Sequence, residues 1–285
     1  MAYNILGVTP GHNSSITLIS DGKLILYIEE ERFSKFKQDA FPIKAIFSII
    51  RNYKIDEVVV TGAGNQSPLM FKLTSPPTME NLYYSVIRKF YPNVKFTDYS
   101  NQHHLTHVSQ TFYNSGFKEA LGIVIDGNGS DYTYKDKIIL ETESVFHCTY
   151  PFNFKKVYYR CLSNDLNIID NNLEITTNIT VGKQYHAVSE YLGFGVGEEG
   201  KTMGLSSYGK NSKIPSILNS PTTTSFKIKP SMGILMGEYI YPLEKNLQNQ
   251  KDLAWRVQND TQQLIGDLIE KSLKTWFKQV VKTRK

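Results

Sequence analysis

The chain has 285 residues, 40% of them hydrophobic and 21% charged, a balance that excludes disorder and allows one large domain or two lobes with separate cores. The formal net charge of +5 is mild and scattered outside residues 32–37 and the tail from Lys271. It forms no nucleic-acid stripe, although an anionic small molecule suits the first basic patch. Cys148 and Cys161 follow neither a CxxC nor a scaffold spacing, no apolar run reaches the roughly 18 residues of a membrane span, and no basic segment precedes the first strand. A cytoplasmic protein with reduced thiols, no membrane partner and no nucleic-acid partner is the expectation.

In chain order, residues 4–8 read as a short buried strand, followed by a polar turn at residues 11–15. Residues 16–19 and 24–28 read as two further strands around Asp21-Gly22, a strong hairpin signal. These three strands form an antiparallel meander, closed by the charged run Glu29-Glu30-Glu31-Arg32. Pro42 opens a helix with Ile43, Ala45, Ile46, Ile49 and Ile50 on one face. Val58-Val59-Val60 is a continuous apolar run, hence a strand buried on both faces and parallel to a neighbour. Residues 63–78 read as a loop, 79–90 as a helix, 94–96 as a strand, and 103–113 as a helix with Asn101 as its N-cap.

The opening pattern then recurs. Residues 121–125 are an apolar strand, Asp126-Gly127-Asn128-Gly129-Ser130 is a glycine-rich turn, and residues 132–134 lead out of it. This internal repeat predicts two related lobes, 1–120 and 121–285, each opening on a phosphate-facing hairpin. Two such hairpins facing one cleft are the plan of the α/β actin-like, ribonuclease H-like ATPase fold, an analogy at the level of the fold. Residues 164–178 read as a polar excursion, 184–192 as a helix, 193–209 as glycine-rich loop or short helix, and 215–243 as short strands. Residues 251–281 form a long amphipathic helix, or two, with a stripe of Leu253, Val257, Leu264, Leu268, Leu273 and Phe277.

Four groups of residues offer chemistry. His103 and His107, four apart on a helix, share a face and can grip one metal; the alternative is a polar face with unrelated histidines. His104 lies about 100° around the helix and is set apart from that pair. Asp126 sits at a strand end beside glycines, placed for a metal or a magnesium-bound phosphate, although an Asp-Gly turn needs no ligand. Gly11-His12-Asn13-Ser14-Ser15 offers amides and hydroxyls for a phosphate, or is simply a polar turn. Glu198, Glu199 and Lys201, with Tyr185 and His186 nearby, read mainly as exposed charge. His103, His107 and Asp126 together would supply two imidazoles and one carboxylate, a set suited to iron, zinc or manganese with positions left open.

These blocks resemble a known family. Ile5-Leu6-Gly7, His12-Asn13-Ser14-Ser15, Asp21-Gly22-Lys23 and Ile28-Glu29-Glu30-Glu31-Arg32-Phe33-Ser34 are similar to the opening of O-carbamoyltransferases of the nodulation and antibiotic-tailoring type. His103-His104-Leu105-Thr106-His107, then Phe112-Tyr113, Glu119-Ala120 and Asp126-Gly127-Asn128-Gly129, follow in the family's order. Gly200-Lys201-Thr202-Met203-Gly204-Leu205-Ser206-Ser207-Tyr208-Gly209 completes the match, which is looser beyond residue 210.

The resemblance implies an actin-like first domain, similar to the universal tRNA threonylcarbamoyl transferase. It also implies a separate domain that makes carbamoyl adenylate from ATP and carbamoyl phosphate. The first domain then moves the carbamoyl group to the hydroxyl of a small-molecule acceptor. On this pattern His103, His107 and Asp126 are metal ligands, and His12 and Lys37 contact the phosphate or carbamoyl group. Asn13, Ser14, Ser15, Gly127 and Gly129 border the nucleotide.

The chain departs from the family in having no Gly-Gly pair, where family members seat the nucleotide on a Gly-Gly-Val turn after the long helix. The expectation is therefore an incomplete second lobe, an open sheet edge, and a second polypeptide or a homodimer as partner. Two other readings stand beside this one. One is a non-catalytic metal- or nucleotide-binding regulatory protein; the other is a tRNA threonylcarbamoyl transferase-like enzyme, which the modest charge and long loops disfavour.

Overall fold

The computed structural model describes the chain except residues 1, 12, 38, 62–85, 128, 164, 178, 179, 196, 215, 217–225, 232, 233, 240–245, 284 and 285, with backbone alone for 226–231, 234–239, 275 and 277–283. The expected loop at 63–78 and the first part of the helix expected at 79–90 lie outside the described residues, whereas residues 86–90 are helical. Two compact units emerge, Met1–His107 and Val108–Lys285, and their division falls inside an uninterrupted helix. The class is mixed α/β, and no helix among the described residues is long and apolar enough to cross a membrane.

The first unit is built on five strands, β1 (Asn4–Thr9), β2 (Ser15–Ser20), β3 (Lys23–Glu29), β4 (Glu57–Val60) and β5 (Lys95–Asp98), in the order β3-β2-β1-β4-β5. β1, β2 and β3 form the expected meander, turning at Asp21 and Gly22, while β4 lies parallel to β1 and β5 parallel to β4. Val58 is fully buried, but Val59 on the opposite face and Val60 are only half-buried, so the expected burial on both faces is incomplete. A four-residue helix α1 (Glu31–Ser34) precedes α2 (Ile43–Ile50). Ala45, Ile46, Ile49 and Ile50 of α2 pack into the core formed by Leu6, Val8, Ile16 and Leu18. Each such isoleucine stabilises the unit by about 1.5–3 kcal/mol relative to exposure. The α2 amides of Lys44 and Ala45 donate to the buried Glu30 carboxylate at 3.2 and 2.8 Å, which satisfies the helix start where Pro42 offers no side-chain cap.

Helix α3 (His103–Ser115) leads into the second unit. Near its start the Thr106 amide donates to the Gln102 carbonyl at 3.0 Å. The second sheet contains β6 (Glu119–Ile125), β8 (Lys137–Thr149), β9 (Asn153–Leu162), β10 (Ile168–Asp170) and β11 (Leu173–Thr176), in the order β10-β11-β9-β8-β6. Among the described residues β7 (Asp131–Tyr134) pairs only with β8. The expected hairpin at Asp126 is therefore not one: β6, the turn and β7 lie end to end along the 13-residue strand β8. The Asp126 and Gly129 amides continue the ladder, donating to Thr142 and Glu141 carbonyls at 2.8 and 2.7 Å.

The expected polar excursion at 164–178 is also corrected. It holds β10 and β11, because Leu173 and Ile175 alternate into a cluster with Ile139 and Cys161. α4 (Val181–Tyr191), α5 (Glu199–Ser206), the β12–β13 hairpin (Phe226–Ser231 and Ile234–Tyr239) and α6 (Leu247–Thr283) complete the unit. α6 is a single helix of 37 residues. Its Leu253 and Val257 pack with Ala187, Val188 and Ile214, whereas Leu273 is 41% exposed, so the apolar stripe is buried only in its first part.

Candidate metal centre

His103 and His107 occupy the first two turns of α3, and their Nε2 atoms stand 3.0 Å apart. Two nitrogens each about 2.1 Å from one ion are separated by about 3 Å when their bonds meet at a right angle. The pair thus has the spacing of cis ligands, and one turn of helix supplies it. His104 is 1% exposed and lies outside the pair, as its angular offset predicts.

The helix and β6 form a local hairpin whose packing sets the register. A Cβ at Gly122 would overlap the Val108 side chain, so glycine lets the helix lie directly on the strand. Further along, Phe112 meets Phe154 edge-on and Tyr113 donates to the Pro151 carbonyl at 2.6 Å. With helix and strand antiparallel, the strand end returns to the helix start. His103, His107 and Asp126 each offer a ligand atom, and these atoms lie within 4.8 Å of one another.

Behind Asp126 the start of α4 closes in. A Cβ on Gly182 would stand 2.5 Å from the Gly127 nitrogen and 2.7 Å from the Asp126 carbonyl carbon and oxygen, so only glycine fits. Glu143, almost fully buried, accepts from the Val181 amide at 2.9 Å and from the Thr142 hydroxyl at 2.8 Å; burial raises its pKa. Lys183 feels Asp126 and Asp131, while burial pulls its pKa down. Burial pushes the Asp131 carboxyl up to about 6, against the attraction of Lys183.

The residues matched by the carbamoyltransferase N-terminus model run from 52 to 239, more than half of the chain. This chain belongs to the carbamoyltransferase family. It is also 31% identical over 210 residues to the uncharacterised protein MJ1051 of Methanocaldococcus jannaschii, covering 72% of this chain and 33% of that one. The chain therefore spans about a third of the length of that relative.

The remaining expected site residues of this carbamoyltransferase-family chain fall in three places. His12 lies outside the described residues. Asn13 is exposed with φ 60, and the Ser14 amide donates to the Asp39 carbonyl at 3.1 Å, which ties the turn to the loop that carries Lys37. The Ser14 hydroxyl, in a residue only 1% exposed, has no hydrogen-bond partner among the described residues, and Ser15 is also buried. Lys37 is exposed and stands 3.5 Å from Glu31.

Gly127 donates to the side chain of Asp126 at 2.6 Å, and a Cβ on it would meet nothing within 4 Å. The glycine-rich charges form local ties. The His186 imidazole lies 2.6 Å from Glu199 and 3.5 Å from Glu190, and Glu198 bonds Lys201 and the Gly195 amide. Tyr185 donates to Gln258 at 2.7 Å, another packing role.

Sequence reasoning missed Lys183, Gly182 and Asp131. A signal for two of them existed. Thr180 is the N-cap residue, and a helix started there, not at Gln184, puts Gly182 and Lys183 in its first turn.

Proposed function

We propose that this chain is the amino-terminal part of an O-carbamoyltransferase in which His103, His107 and Asp126 hold a transition metal beside a carbamoyl donor. The convergence of two imidazoles and one carboxylate on a helix–strand hairpin carries the reading. Two nitrogens and one oxygen suit iron, zinc or manganese, and three protein ligands leave positions open. An ion held there would supply Lewis-acid stabilisation to a phosphate oxygen of the donor. The chain's own groups do the rest: they bind, orient and shield.

Ser14 fits a nucleotide-facing role, since its buried hydroxyl finds no partner among the described residues. Asn13 and Ser15 flank it in the same turn, and His12 and Lys37 would meet the phosphate or carbamoyl group. Gly127 leaves open space at the Asp126 turn, and Gly129 follows it toward β7. Carbamoyl adenylate would be the donor, made from ATP and carbamoyl phosphate by a further domain, and a small-molecule hydroxyl the acceptor.

An actin-like arrangement is the fold we infer. In its support, each unit contains a three-stranded antiparallel meander, β1-β2-β3 and β6-β8-β9. The rival reading is a metal-binding regulatory protein without catalysis, which the same three ligands would also serve.

Elemental analysis of chain purified without chelator tests the proposal against the double variant His103→Ala/His107→Ala. One transition-metal ion per wild-type chain and none in the variant is the expected result. Equal metal in both removes the site. AMP binding by titration calorimetry then separates the readings of the turn: metal-dependent binding is expected, and its absence leaves no nucleotide-facing role.

A further inference from the structure

The free edge of the first sheet is unusual. β3 ends the strand order, and among the described residues no strand pairs with its outer side. Three of its seven residues are large, apolar and open: Leu24 is 66% exposed, Ile25 46% and Tyr27 55%. The opposite edge, β5, is four residues long and carries Lys95 and Asp98 at its ends, the usual protection against pairing. β3 carries no charged side chain along its middle, and unpaired strand edges recruit other strands.

The sequence of β3, Lys23-Leu24-Ile25-Leu26-Tyr27-Ile28-Glu29, is a mirror in charge and polarity. Placed antiparallel to a copy of itself about Leu26, it puts Lys23 opposite Glu29 at both ends. Leu24 then faces Ile28, Ile25 faces Tyr27, and Leu26 faces Leu26. Opposite charges, an aromatic–β-branched pair and aliphatic pairs are the cross-strand partners that stabilise sheets. A two-fold contact requires such self-complementarity, whereas an unrelated partner strand does not.

We propose that β3 pairs with β3 of a second copy of this chain, forming an antiparallel two-fold seam. The register shift between β2 and β3 at Leu18/Ile19 leaves one extra residue in β3 and increases its twist. One strand from each copy makes a small interface, so the dimer is reversible and concentration-dependent. Glu29 also lies 3.7 Å from Arg32 and accepts from the Tyr27 hydroxyl at 3.1 Å, which makes Lys23 the cleaner position to change.

Sedimentation equilibrium of the full chain across a concentration series tests the seam. Wild type should pass from monomer to dimer. Lys23→Glu, which sets two carboxylates opposite each other at both ends, should weaken association by about tenfold. The swap Lys23→Glu/Glu29→Lys should restore it to near wild type, because the mirror is rebuilt with the charges exchanged. Ile25→Lys should leave monomer. Circular dichroism and melting curves check that each variant is folded. A wild type that stays monomeric, a Lys23→Glu variant that dimerises like wild type, or a swap that fails to recover would each overturn the proposal. Dimerisation that survives Ile25→Lys would place the contact on another surface and overturn it equally.

Discussion

At the scale of single residues, the position of Asp126 depends on groups that do not touch a ligand. Gly182 is the clearest. Its Cβ would collide with backbone, which cannot swing aside as a side-chain end can. Gly182→Ala should destabilise the chain by about 1–3 kcal/mol, as overpacking does. It should also displace Asp126 and lower metal content, while leaving the His103–His107 spacing intact; unchanged unfolding midpoint and metal content would show that the turn has slack.

Asp131 gives a pH signature. Its pKa is raised from 3.8 to about 6 in the folded chain, chiefly by burial. A carboxyl whose pKa rises on folding contributes stability while protonated, and this contribution is lost as pH increases through the raised value. Asp131→Asn should therefore melt higher than wild type at pH 7, with the difference shrinking toward pH 4. Melting curves that run parallel across that range would contradict the burial argument.

Among elements, the helices and the meander were legible, and their ends were less so. α2 appears where Ile43, Ala45, Ile46, Ile49 and Ile50 share a face, because amphipathic spacing is a local property. The start of α3 at His103 is read correctly, and its end falls two residues later, at Ser115. The turn after β6 looked like a hairpin because Asp-Gly usually makes one. It is instead spanned by β8, a strand long enough to pair with β6 and β7 in succession. Nothing in residues 126–130 themselves encodes that span.

α6 separates pattern from burial. Leu253 is fully buried and Leu273 is 41% exposed, although both belong to one sequence stripe. Leu253→Ala should cost about 2–5 kcal/mol by urea unfolding, and Leu273→Ala less than about 0.5 kcal/mol. Similar costs at the two sites would mean that the end of α6 is covered in solution.

For the whole molecule, association is the property to examine. The β3 seam relies on exposed charges at its ends, so raising ionic strength should reduce the dimer fraction, whereas a purely apolar contact would be strengthened by salting-out ions. Sedimentation at two ionic strengths distinguishes these outcomes. The long-range organisation, two units dividing inside α3, has no marker in composition, since no proline- or glycine-rich linker separates them.

By itself the sequence determined the α/β class, the three-stranded opening, the parallel β4, the histidine pair and the family. Periodicity, turn chemistry and a four-residue helical interval are set by neighbours along the chain, so they survive without coordinates. Only the tertiary structure decided that Asp126 returns to the histidines through the antiparallel hairpin of α3 and β6. It alone brought Gly182, Lys183 and Glu143 to the Asp126 turn, and left β3 at an open edge. Those arrangements arise from packing between residues far apart in sequence. Close approach at Gly122 and Gly182, and the burial that shifts Asp131, depend on which surfaces meet, and one chain read in order carries no record of that.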